Sequence, residues 1–157
     1  MRSCSGATGY TELQRSLSEH QIQCSLVEWT TWNAKAIPSL ALLYAIPNGG
    51  DRHGAVGAKM KREGVRAGVP DLHLPVARGV YHSLYIEMKT CAGRLSSSQR
   101  EWRERLLSEG NAYVVCRTTD EGMLTLREYL SLAKGQSMPG EYMRTGALPL
   151  CVRSLAA

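Results

Sequence analysis

The 157 residues suffice for one domain with a sizeable core, and a formal charge of +5 fits a polyanionic partner as readily as an ordinary basic soluble protein. Five cysteines (Cys4, Cys24, Cys91, Cys116, Cys151), odd in number, scattered and without a Cys-x-x-Cys pair, argue against a zinc site or disulfide scaffold and for a reducing cytoplasm. No apolar run is long enough to span a bilayer and the start lacks the apolar stretch of a signal peptide, so a soluble, cytoplasmic protein is expected.

Residues 1–17 read as a leader whose first ten residues are small and polar. Thr11 to about Ala36 has helical character, in one piece or two, and Pro38 marks a break. Leu40 to Pro47 is a compact apolar run expected as a buried strand, although its length also suits a helix. Asn48-Gly49-Gly50 signals a turn. Gly54 to Glu63 reads as a short basic helix closed by Gly64. Gly68–Leu72 and Leu84–Lys89 read as short strands joined through a turn over 77–82 that contains Gly79. Ser96 and Gln99 have capping-box spacing at the start of a helix reaching Glu109, with Gly110 as its stop. Ala112 to Arg117 forms a strand, and Thr118/Thr119 cap a last helix from about Asp120 to Lys134. From residue 135 to 157, Pro139, Gly140, Gly146 and Pro149 predict an irregular tail. This order of elements gives an α/β sandwich around a mixed sheet.

The two middle strands carry the candidate chemistry. In a hairpin centred on Gly79, Asp71 lies opposite Glu87, since each is eight residues from the centre. Cross-strand β-carbons are roughly 4.5–5.5 Å apart, close enough for two carboxylates to hold one divalent cation. Lys89 shares the Glu87 face, while Leu84, Ile86 and Met88 point the other way as a core face. The residue types suit metal-dependent phosphodiester hydrolysis. Asp71 and Glu87 hold Mg²⁺, the Met88 backbone carbonyl adds an oxygen, and Lys89 positions or deprotonates a water or acts as a point charge. Taken alone, Pro-Asp also fits a turn and Glu-x-Lys a surface ion pair.

A third acid is expected from the first long helix. Glu19 falls on the apolar stripe of Ile22, Gln23 and Leu26, whereas Glu28 faces the opposite side as a solvated charge. An acid at Glu19 is also favoured simply by the helix dipole. Gln99 serves the capping box, and a helix start beside the sheet can also face a phosphate. Lys59, Lys61, Arg62 and Arg66, with Arg52 after the glycine turn, form a basic cluster suited to a phosphate backbone or to solvent alone. His73 stands two residues past Asp71, either on the active face or as a satisfied strand histidine. No nucleotide-cofactor fingerprint is present, because Asn48-Gly-Gly-Asp lacks a Gly-Lys-Ser/Thr ending, and there is no serine nucleophile elbow.

These residues together resemble a stand-alone VRR-NUC domain of the PD-(D/E)xK nuclease superfamily. The matching run is Glu19…Gln23, Ile46-Pro-Asn-Gly-Gly50, Gly64…Gly68-Val-Pro-Asp71, Tyr85-Ile-Glu-Met-Lys89, Gly93-Arg-Leu-Ser…Gln99…Trp102 and Ala112-Tyr-Val-Val115. The resemblance implies a restriction-endonuclease-like fold over residues 18–134, with a central mixed sheet flanked by helices. It implies Mg²⁺ or Mn²⁺ as cofactor and DNA as substrate. Asp71, Glu87 and Lys89 take the metal and catalytic roles in it, with Glu19 as the helix acid and a further metal ligand, Gln99 among the catalytic residues, and Asn48 beside the DNA. Small proteins of this kind are typical of phages and prophages, and act as homodimers on branched DNA such as four-way (Holliday) junctions. Rival readings are a non-cutting DNA-binding module of the same fold, and an end-dependent exonuclease.

Overall fold

Ser18 starts the first helix by accepting the Gln21 amide on its hydroxyl (3.2 Å), while Gln21 Oε1 takes the Ser18 amide (2.9 Å). This reciprocal cap begins α1, Glu19–Asn33, in the computed structural model, which describes residues 17–47 and 55–139. The expected helical start at Thr11 lies outside the described residues, and residues 34–36 form a turn rather than more helix. Ile22, Leu26 and Thr30 make the buried stripe of α1, and Glu28 is exposed as expected.

The apolar run Leu40–Pro47 is not a buried strand. Pro38 stands at the start of a short 3-10 helix, Pro38–Leu42, where its fixed φ suits the first turn. Only Tyr44–Ala45 is extended (β1), and both residues are exposed. Among the described residues β1 has one neighbour, and such an edge strand leaves apolar residues in water, which composition alone does not foretell. The basic helix α2 spans Ala55–Arg62 and ends with Gly64 at φ +96°, Val65 N–H donating back to the Met60 carbonyl at 2.9 Å.

Strands β2 (Leu72–Leu74), β3 (Leu84–Met88) and β4 (Ala112–Cys116) complete a four-stranded sheet of order β1-β2-β3-β4. Its first two pairings are antiparallel and the third is parallel. Leu72 pairs with Ile86, His73 with Tyr85 and Leu74 with Leu84, each pair equidistant from Gly79 as the sequence predicts. Nearer the turn, Arg78 bridges Tyr81, one residue out of that register, so residues 75–77 absorb an extra residue. The ladder starts at Leu72 and not at Gly68. Gly68 holds φ +85° and Pro70 has no N–H to give.

Helix α3 (Ser97–Ser108) links β3 to β4, and α4 (Thr119–Ser131) follows, ending three residues before Lys134. The core uses alternate strand residues: Leu72, Leu74, Leu84, Ile86, Met88, Ala112, Val114 and Cys116 meet Ile22 and Leu26 of α1 and Leu126 and Tyr129 of α4. Residues 135–139 have no regular structure, yet Met138 is buried in that core and its amide donates to Tyr81 Oη at 3.2 Å; the rest of the expected tail, 140–157, lies outside the described residues. Among the described residues no helix is long and apolar enough to cross a membrane.

Candidate active site

The opposite face of the sheet carries Asp71, Glu87 and Lys89. Continuing the β2–β3 register by one step sets Asp71 beside Glu87, and Asp71 Oδ2 accepts the Met88 amide at 2.8 Å. That bond fixes the aspartate where the ladder itself has ended. Glu87 is fully buried and Lys89 nearly so. Lys89 Nζ lies 2.6 Å from Glu87 Oε1, 3.4 Å from Glu19 Oε2 and 3.2 Å from the Met88 carbonyl. Glu19 Oε1 also accepts the Thr90 amide at 3.3 Å, so this carboxylate ties the start of α1 to the end of β3.

Gln99 makes the expected cap and also reaches Glu87. Its Oε1 takes the Ser96 amide (2.9 Å) in the cap of α3, which leaves Nε2 to donate to Glu87 Oε1. Glu87 Oε1 therefore holds two donors. Glu87 Oε2 is buried with no hydrogen-bond partner among the described residues. Burial, and then the charge of Asp71, push the Glu87 carboxyl up to about 7 against the opposing pull of Lys89. Burial alone would lower Lys89, but its hydrogen bond to Glu87 and the charges of Glu87, Glu19 and Asp71 outweigh it and hold the ammonium above its ordinary value. Lys89 is thus a fixed positive charge.

The orphaned Glu87 oxygen fits a hard divalent cation. A buried carboxylate oxygen without a donor is costly, and a cation would satisfy it. Asp71, Glu87 and the Met88 carbonyl are the groups that would hold such an ion. Among the described residues no three His, Cys, Asp or Glu side chains gather as a ligand set by themselves, and Glu19 joins the centre through Lys89 and Thr90.

Lys59, Lys61, Arg62 and Arg66 are exposed, and Lys59 pairs with Glu63 at 3.7 Å. Arg66 lines a cleft of about 520 Å³ with Ala67, Glu101, Trp102 and Arg105. Asn48 and Arg52 lie outside the described residues. His73 is held between two tyrosines, 2.7 Å from Tyr44 Oη and stacked on Tyr85.

Sequence reasoning missed Arg117. Its Nη1 donates to the carbonyls of Thr90 (2.7 Å) and Gly93 (2.9 Å), clamping the turn that follows Lys89. Glu121 accepts the Arg117 amide at 2.6 Å. The spacing Thr118-Thr-Asp-Glu121 was a legible capping signal for Glu121, but nothing near Arg117 announces partners 24 and 27 residues away.

A mixed sheet with helices on both faces, carrying an Asp, a Glu and a Lys at the ends of two paired strands, is the architecture of a nuclease domain. A family model described as the VRR-NUC domain matches residues 11–120, most of the chain, and the chain belongs to that nuclease family. Among solved structures, one titled "VRR_NUC domain protein" superposes with a TM-score of 0.66 at 31% identity, covering 79% of this chain and 98% of that one. No curated protein matches the chain.

Proposed function

We propose that this chain is a divalent-cation-dependent DNA endonuclease. The observation that carries the reading is Glu87, buried beside the registered Asp71 and Lys89 with one carboxylate oxygen unpartnered. Asp71, Glu87 and the Met88 carbonyl would bind Mg²⁺ or Mn²⁺, and Gln99 keeps the Glu87 carboxylate turned so that Oε2 remains available. The chemistry such a cation supplies is neutralisation of charge on the phosphoryl oxygens and acidification of a water. Lys89, fixed by Glu87 and Glu19, places a positive charge where negative charge grows on the phosphate. Glu19 acts by holding the lysine.

The substrate class in this proposal is branched DNA such as a four-way junction, cut by a homodimer. A domain this small has little surface for reading bases, and a two-fold dimer presents two sites to two equivalent strands. The test is cleavage of labelled four-way junction and matched linear duplex with Mg²⁺, Mn²⁺ or EDTA, comparing wild type with Lys89→Ala. Expected is metal-dependent cutting that favours the junction and falls by about 10²–10³-fold in the variant, with melting checked because removing Lys89 strands a buried carboxylate. Salt-sensitive binding without cutting of any substrate would replace this reading with the binding module.

A further inference from the structure

The face that carries the carboxylates also carries a row of four rings, one from each strand. Tyr44 pairs with His73, His73 with Tyr85 and Tyr85 with Tyr113. His73 is two residues from Asp71 and Tyr85 two from Glu87, so the rings share the face of the acids and lie one step along it. His73 and Tyr85 stack at 4.2 Å with an angle of 11°, and Tyr44 meets His73 edge-on at 5.3 Å and 79°. Burial falls steadily outward, from Tyr113 at 1% exposed, through half-buried Tyr85 and His73, to Tyr44 at 51%. Cross-strand ring pairs stabilise a sheet, which accounts for the three inner members. The same pairing holds Tyr44 to His73, with Oη 2.7 Å from Nδ1, yet leaves this large ring half in water on an edge strand.

Strand spacing of about 4.8 Å and two residues of rise set the Tyr44 position roughly 8 Å from that of Asp71. This is the scale of one unstacked nucleotide. Every base presents a π-face, and exposed aromatic rings beside a backbone-binding site are the usual platform for unpaired bases. We propose that Tyr44 is the outer plate of a stacking platform for an unpaired base of the DNA strand being cut. The site then selects strands whose bases are unstacked next to the scissile phosphate. The inference rests on the nuclease reading for its substrate and deepens it by naming the feature recognised.

The experiment uses the full chain in EDTA with an oligonucleotide containing 2-aminopurine, whose fluorescence is quenched by stacking, offered single-stranded and fully paired. Expected is quenching on the single strand by wild type and Tyr44→Phe. Tyr44→Ala and the bulk-matched Tyr44→Leu lose most of it and bind the single strand at least tenfold more weakly, with duplex affinity within twofold. Unchanged quenching in Tyr44→Ala, an equal loss on both substrates, or a Phe variant as weak as Ala overturns the platform. Cleavage by wild type is scored separately. Cutting with no Tyr44 effect rejects the platform and leaves the nuclease, whereas quenching without cutting keeps the platform and rejects the nuclease.

Discussion

Arg117 touches no acid of the centre, yet it sets the turn from which Lys89 and Glu19 take their places. Its guanidinium binds the Thr90 and Gly93 carbonyls, and the Thr90 amide is in turn an anchor for Glu19. Arg117→Ala should lower cleavage by about 10–100-fold, because small misplacements of reacting groups are expensive. DNA affinity should change little, and Arg117→Lys should recover part of the rate by reaching one carbonyl. A loss confined to binding would show that Arg117 contacts DNA instead. Glu121 gives a second expectation. Burial raises its carboxyl above the ordinary value, although the Arg117 and Thr118 contacts pull the other way. The folded chain therefore keeps this proton to higher pH than the unfolded chain. Its contribution to stability is complete below the unfolded carboxylate pKa and is lost as pH rises through the folded one. Thermal melts from about pH 4 to 8 should show wild type losing stability relative to Glu121→Gln as pH rises; parallel profiles would refute the assignment.

At the scale of elements, helix starts and site geometry are linked. Gly68 lies so close to α3 that an added Cβ would sit 2.7 Å from Ser98 backbone and side-chain carbons, at a φ of +85° that side chains rarely adopt. Gly68→Ala should cost about 1–3 kcal/mol in denaturant melts and also reduce cleavage, since Ser98 adjoins Gln99. Gly122 is similar inside α4: its Cβ would meet Leu26 Cδ2 at 2.5 Å, prising α4 from α1, with a cost of the same order but no direct effect on the acids. The hairpin was legible in the sequence because its register follows from counting outward from Gly79, and Asp71, Glu87 and Lys89 come with it. Ser96 and Gln99 were legible because capping is a local, four-residue device. Leu40–Pro47 was misread because burial depends on what lies beside a strand, and among the described residues β1 has a neighbour on one side only. Arg117 was invisible for the opposite reason: the carbonyls its side chain clamps lie 27 and 24 residues away.

The molecule as a whole closes its core with a segment that sequence reading set aside. Met138 reaches back under Tyr81 and is 2% exposed, and the Gln136 carbonyl accepts the Val80 amide at 2.9 Å. Met138→Ala should therefore destabilise the fold by about 2–5 kcal/mol, measured by urea denaturation; a change within error would place Met138 outside the core. Cleavage by the remaining folded fraction should be unaltered, since the contact lies at the turn end of the hairpin, away from Asp71. The bond from the Met88 amide to Asp71 spans 17 residues, whereas that from Lys89 to Glu19 spans 70. Closing a short loop is entropically cheaper and faster than closing a long one. The paired acids can thus assemble while the chain is still finding its shape, but the lysine has its second anchor only after α1 returns to dock. On the nuclease reading, full competence should therefore follow the docking of α1, with the acids paired before the lysine is held from both sides.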